Sequence, residues 1–241
     1  SNRNAYMTDE LQAIYDQVID FVTNEVKPHG EQWEHDGKVP REVLHKMGSL
    51  GMFSLRVPEE LGGLGMGYLA SATFSEALGA STFAGFEVTA LVHTDMAGPH
   101  LINSGSPEQL EKYVPNMLSG EFILSIGVSE PDAGSDVAGI RSKAVKDGDG
   151  WRINGTKTFI TNGAQADLVI VACRTDPTKG SKGISLLAIE KGSEGFAPGR
   201  VLDKIDFDAS DSTRSELIED VMSTFPLSGH PGVIEAMLEI D

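Results

Sequence analysis

The feature that most constrains this chain's fold is a change of hydrophobic period at Gly120. Upstream, apolar residues recur at steps of three and four, the spacing of one stripe on a helix. Downstream they alternate or cluster in short runs bounded by glycine, asparagine and aspartate, the pattern of strands and tight turns. Neither half can adopt the other's structure and still bury its apolar side chains. An α+β, multi-domain organisation follows: an all-helical unit over residues 8–120, a β unit over 121–205, and an acidic remainder, 206–241, that the pattern leaves unassigned and that reads as a flexible or partner-dependent tail.

In the first unit, Leu11, Ile14, Tyr15, Val18, Phe21, Val22 and Val26 share one helical stripe, with Thr8 or Asp9 to cap its start and Pro28 to stop it. A second short helix is expected from Pro40 through Val43, Leu44, Met47 and Leu50 to a stop at Gly51. Residues 69–81 and 85–103 are small or apolar on nearly every face, as helices buried inside a layer are. The last helix runs over 107–118, with Ser106 as N-cap, Pro107 at its first position and Gly120 beyond its end. The VPEELGGLGMG stretch, Val57 to Gly67, reads as an irregular loop that joins helices or lines a cleft. His93, beside Thr94 and Asp95, has no partner at a diagnostic spacing and reads as a satisfied buried histidine rather than a relay.

In the second unit, strands are expected at 122–129, 140–146, 151–153, 157–161, 168–174, 184–189 and 195–201. Asp147-Gly148-Asp149-Gly150 and Asn154-Gly155 carry hairpin chemistry, since glycine and asparagine tolerate the positive φ of such turns. Short strands at this density fit a small antiparallel β-barrel or a sandwich better than a parallel sheet.

Charge narrows the functional classes. A net charge of −17 and an isoelectric point near 4.6 oppose nonspecific binding to nucleic acid or to an anionic membrane. No window approaches a membrane span, and the first residues lack a basic segment followed by an apolar core, so the expectation is a cytoplasmic protein. Cys173, the single cysteine, lies in an apolar run and reads as packing rather than as a nucleophile. No metal-ligating pattern stands out.

Two runs concentrate small residues and short hydroxyls: GVSEPDAGSDVAG, from Gly127 to Gly139, and TFITNG, from Thr158 to Gly163. Such composition is used where backbone must come close to a polar ligand, with Ser129, Ser135 and Thr161 both donating and accepting. A glycine-rich turn between strands is the competing reading. Glu130 and Asp136 suit loop-ordering contacts to backbone N–H groups better than a role as bases.

These runs, with WRINGTKTFITNG (151–163), NSGSPEQLEKYVPNMLSGE and VPEELGGLG, resemble the signature segments of the acyl-CoA dehydrogenases over roughly residues 8–205. That resemblance implies a helical domain, a β-barrel and a second helical domain, with FAD as cofactor. By similarity, Ile126, Gly127, Val128, Ser129, Gly134 and Ser135 lie along the isoalloxazine and pyrophosphate of FAD. Ser129 would bond the pyrimidine edge, and Ser135 would sit near phosphate or the CoA of the substrate. Phe159, Ile160 and Thr161 would face the ring from the other strand, with Thr161 near N5 and Phe159 where many relatives have tryptophan.

The implied reaction is α,β-dehydrogenation of an acyl-CoA thioester: a carboxylate removes the α-proton while a hydride leaves the β-carbon for flavin N5, and electrons pass to an electron-transfer flavoprotein. Family members form homotetramers, in the cytoplasm or the mitochondrial matrix. The base in most relatives belongs to the second helical domain, which is not recognisable here, so the expectation is a truncated or incomplete chain with no identifiable catalytic base. Two alternatives stand beside it: a non-catalytic acyl-CoA, flavin or subunit-binding protein, and an oxidase or monooxygenase on the same architecture.

Overall fold

The computed structural model describes residues 6–199, together with the backbone of 213–217 and 225–226. Helix α1 (Asp9–Phe21) continues through a π-helical turn, Val22–Val26. Thr8 caps it, its hydroxyl accepting the Leu11 N–H at 3.2 Å. The expected stripe, with Leu11, Val18, Phe21, Val22 and Val26 buried, packs against Ala70, Phe74, Ala77 and Leu78 of α4 (Tyr68–Gly79). Each such side chain contributes roughly 1.5–3 kcal/mol on burial.

Between them lie α2 (Gly30–Asp36) and α3 (Arg41–Ser49). Helix α2 is not expected from the sequence, because a segment this short carries no complete apolar stripe. Tertiary packing makes it: Trp33 is buried beside Phe86, and Gly30 lies so close to Phe83 that a Cβ would meet its ring at 2.3 Å.

The apolar stretch after α4 forms α5 (Ala84–Leu91), a π-helical turn Val92–Ala97, and α6 (Gly98–Ser104). Helix α7 (Pro107–Ser119) opens with a capping box between Ser106 and Gln109. Gly120 ends it at φ 73°, and a Cβ there would lie 2.5 Å from the Leu44 carbonyl oxygen. Both its conformation and its close approach to α3 require glycine at the point where the period changes.

The β part has β1 (Leu124–Gly127), β2 (Lys143–Asp147), β3 (Gly150–Ile160), β4 (Leu168–Arg174), β5 (Ile184–Glu190), β6 (Phe196–Ala197), β7 (Thr213–Leu217) and β8 (Phe225–Pro226). Among the described residues they form one sheet in the order β6-β7-β3-β2-β4-β5-β8, with β1 beside β4. Pairing is antiparallel for β2–β3, β4–β5, β3–β7, β5–β8 and β6–β7, and parallel for β1–β4. The architecture is thus a helical N-terminal part followed by a β-sheet part, as the period change demands.

Two expectations are corrected here. Asn154-Gly155 is not a turn: β3 runs through it, joining the two strands expected at 151–153 and 157–161. Gly155 faces Leu217 of β7, and a Cβ would fall 2.2 Å from the Ser142 hydroxyl, so this glycine serves close strand approach rather than positive φ. The hairpin at Asp147 is as expected, with Asp147 paired to Gly150 and Gly148 at φ 57°. The second correction concerns the remainder: Thr213–Leu217 pairs with β3 and β6, and Phe225–Pro226 with β5. The rest of 206–241, and the end of the strand expected at 195–201, lie outside the described residues.

The two parts share one core. Leu101, Tyr113, Val114 and Met117 from α6 and α7 pack with Leu124, Ile140, Leu168 and Ile170 of the β part. Polar ties reinforce the junction: Arg41 of α3 donates to the carbonyls of Gln165 and Glu121 at 2.9 and 2.6 Å and pairs with Asp167, which also accepts the Ile123 N–H.

Candidate functional site

The two hydroxyl-rich runs, about twenty residues apart in sequence, meet at the ends of β1 and β3. The Thr158 N–H donates to the Ser129 carbonyl at 2.9 Å, and the Ser125 hydroxyl donates to the Thr161 carbonyl at 2.5 Å. Asn162, wholly buried at φ 64°, donates to the Thr89 carbonyl of α5 at 2.9 Å and to the Leu124 carbonyl at 3.4 Å. Its left-handed backbone is tolerable for asparagine and turns the chain out of β3.

Beneath this rim lies a buried ion pair that sequence reasoning missed. Lys157 is 1% exposed and donates to Glu130 Oε1 at 2.7 Å and to the Val128 carbonyl at 3.0 Å. Glu130 also accepts the backbone N–H groups of Arg141 at 2.6 Å and Ser142 at 2.9 Å. Burial works to raise the Glu130 pKa, but the ammonium and the N–H donors outweigh it and hold the carboxyl below the ordinary carboxylate range. Glu130 therefore orders the loop, as expected from its sequence context. A lysine in a strand otherwise made of alternating residues gives no signal of burial; only the partner across the loop does.

Lys157 and Ile160 both point inward, which ordinary alternation forbids for residues three apart in a strand. A register shift between them resolves the conflict and leaves Phe159 outside, at φ 58° and 70% exposed. A bulky residue in the left-handed region costs on the order of 1–2 kcal/mol, so this backbone is held by its surroundings rather than chosen by the side chain.

Gly127 lies against Lys157 and Ile160, and Ser129 is tied to Thr158, so the backbone of Ile126 to Ser129 runs beside that of Phe159 to Thr161. Gly134 and Ser135 are exposed and follow directly on the turn that the paired N–H and C=O groups of Glu130 and Ala133 close. These residues suit a flavin in kind. A Cβ on Gly134 would meet nothing within 4 Å, leaving open space for a ligand, while Phe159 offers an aromatic face beside donors on the partner run.

The remaining candidates are structural. His93 is 1% exposed; its Nδ1 accepts the Leu124 N–H at 3.0 Å and its Nε2 donates to the Met117 carbonyl at 3.0 Å, which fixes a neutral tautomer between α7 and β1. Burial lowers its pKa to about 4, against the opposing pull of the Met117 carbonyl. Cys173 is buried in the sheet with its thiol pushed up to about 12 by desolvation. A cavity of about 60 Å³ between Phe53, Arg56, Phe74, Asp95 and Ile102 has room for a few waters and includes no residue of either run. No group of metal ligands occurs among the described residues.

A helical layer packs through a shared core on a sheet, and the ends of β1 and β3 form a polar, glycine-lined rim. Residues 8–121 match the family model "Acyl-CoA dehydrogenase, N-terminal domain" and residues 125–219 match "Acyl-CoA dehydrogenase, middle domain". The chain belongs to the acyl-CoA dehydrogenase family. It is 41% identical over 218 residues to the long-chain specific acyl-CoA dehydrogenase of mouse mitochondria, covering 89% of this chain and 50% of that protein. Among solved structures, a probable acyl-CoA dehydrogenase from Mycobacterium abscessus superposes with a TM-score of 0.89 at 36% identity, covering 97% of this chain and 62% of the other. A glutaryl-CoA dehydrogenase from Mycobacterium smegmatis in complex with FADH2 gives 0.84 at 28% identity, over 95% of this chain and 57% of the other. The chain thus spans about half the length of the curated relatives it matches. No described helix is long and apolar enough to cross a membrane.

Proposed function

We propose that this polypeptide takes part in FAD-dependent α,β-dehydrogenation of an acyl-CoA thioester to the enoyl-CoA, with electrons passing to an electron-transfer flavoprotein. The observation that carries the reading is the rim itself: two separate runs pinned edge to edge, one presenting Phe159 and Thr161, the other Ser129. Ile126 to Ser129, Gly134 and Ser135 hold FAD along its ring and pyrophosphate, Ser135 also meets the substrate's CoA, and Phe159, Ile160 and Thr161 cover the ring from β3. FAD supplies the two-electron acceptor. The protein's part is to bind and orient it and to place donors where the ring gains charge, which stabilises that charge as preorganised dipoles do. Residues 8–120 and 121–205 serve as the helical and flavin-binding domains of this arrangement, and the protein assembles with copies of itself.

One observation favours a second reading for this stretch taken alone. Glu130, the buried carboxylate beside the rim, is spent on Lys157 and two backbone N–H groups and is not free to take a proton from substrate. That fits a chain which binds flavin and acyl-CoA but does not turn them over. The two readings separate in one experiment on the purified chain: FAD content by visible absorbance, then anaerobic addition of octanoyl-CoA and palmitoyl-CoA. The dehydrogenase reading expects a yellow protein that acyl-CoA bleaches. Yellow protein that no acyl-CoA bleaches leaves the binding reading, and a chain that takes up no FAD overturns both.

A further inference from the structure

The buried pair under the rim costs more than its fold requires, since a paired lysine and glutamate taken from water are usually matched in stability by apolar residues of similar size. Its geometry explains why it is there. The Lys157 stem runs under Gly127, where a Cβ would already touch Lys157 Cγ at 3.4 Å, and the ammonium reaches the Val128 carbonyl at 3.0 Å. The peptide that follows is trans, so the Ser129 N–H points opposite to that carbonyl. Drawing the carbonyl inward therefore turns the N–H outward, and among the described residues this N–H meets no hydrogen-bond acceptor. The next carbonyl, that of Ser129, is fixed by the Thr158 N–H. Glu130 holds the ammonium in place and is itself held by the N–H groups of Arg141 and Ser142.

We propose that Lys157 is a positioning residue for the cofactor: its contact with the Val128 carbonyl locks the Val128–Ser129 peptide so that the Ser129 N–H faces the bound ring. This rests on the flavin reading above. A fixed donor at the edge of a ring that gains negative charge favours the reduced form over the oxidised one, so its loss weakens binding of the reduced form more.

The test compares the wild-type chain with Lys157→Met and Glu130→Gln by urea unfolding without flavin, by FAD titration, and by the midpoint potential of the bound flavin. Both variants break the ion pair and lose stability. Only Lys157→Met frees the Val128 carbonyl, so it alone weakens FAD binding, by about tenfold, with a further tenfold loss for reduced flavin, read as a midpoint potential lower by about 30 mV. Glu130→Gln stays within about twofold of wild type in FAD affinity, since the amide oxygen still accepts from the ammonium in place of Glu130 Oε1 and lysine still reaches the carbonyl. A purely structural lysine gives the opposite result: affinity falls in both variants in proportion to stability, and the potential does not move. Should Lys157→Met fail to fold, hydrogen exchange at the wild-type Ser129 amide decides. Fast exchange that FAD slows at least about tenfold supports the proposal, and exchange unchanged by FAD overturns it. A wild-type chain that binds no FAD removes the flavin reading and this proposal together, whereas wild type and Lys157→Met binding equally well removes this proposal alone.

Discussion

Acidification should loosen the junction between the helical and β parts through one residue, His93. Its imidazole is neutral because both ring nitrogens are committed, one to the Leu124 N–H and one to the Met117 carbonyl, and because burial disfavours the cation. The folded-state pKa of about 4 lies below the unfolded value of 6.5, so between those two values the unfolded chain binds the extra proton. Stability from this group is fully present above pH 6.5 and is lost as the pH falls toward about 4. Going from about pH 7 to about pH 5 should remove about 2 kcal/mol, and the full window on the order of 3 kcal/mol, at about 1.4 kcal/mol per pKa unit.

The assay is urea unfolding across that range for wild type and His93→Leu. Leucine takes the acceptor away from the Leu124 N–H, costing about 1–3 kcal/mol at neutral pH, while the Met117 carbonyl keeps the Gly120 N–H at 3.2 Å. The acid-dependent loss attributed to His93 should vanish in the variant. His100 is also lowered by burial and acts in the same direction, but it is present in both proteins and cancels in the difference. The depressed carboxylates Glu130 and Glu190 contribute stability above their unfolded value of 4.5 and lose it as the pH falls below that, at the foot of the window, and being present in both proteins they also cancel in the difference. An identical pH slope in wild type and His93→Leu would refute the neutral-clasp account.

Phe159→Gly removes a left-handed backbone penalty of roughly 1–2 kcal/mol and adds glycine's entropic cost of roughly 0.5–1 kcal/mol, so the flavin-free chain should gain up to about 1.5 kcal/mol in urea while FAD binding weakens. Loss of stability instead would mean that the ring is packing, not on display. Gly134→Val meets open space, so stability should stay within about 0.5 kcal/mol of wild type while FAD binding is abolished, because the valine fills the space given to the pyrophosphate. Full flavin occupancy in that variant would remove Gly134 from the cradle.

The period change at Gly120, the caps at Thr8 and Ser106, and the strand over 168–174 were legible in the sequence because each rests on local geometry: apolar spacing, a hydroxyl reaching a free N–H, a block of apolar residues between turns. The two hydroxyl-rich runs stood out by composition, which left a turn between strands as the competing reading, and the family resemblance made them the candidate site. Helix α2 and the continuity of β3 through Asn154-Gly155 were not, because Trp33's burial and the contact of Gly155 with Ser142 arise between segments far apart in the chain. Lys157 is the clearest case. By itself the sequence determines a helical unit, a β unit and, within the β unit, two runs rich in glycine and short hydroxyls. Tertiary structure alone decides that this lysine is buried against Glu130, that Phe159 is forced outward by the resulting register shift, and that His93 is neutral, since each depends on which partner the fold brings within hydrogen-bonding distance.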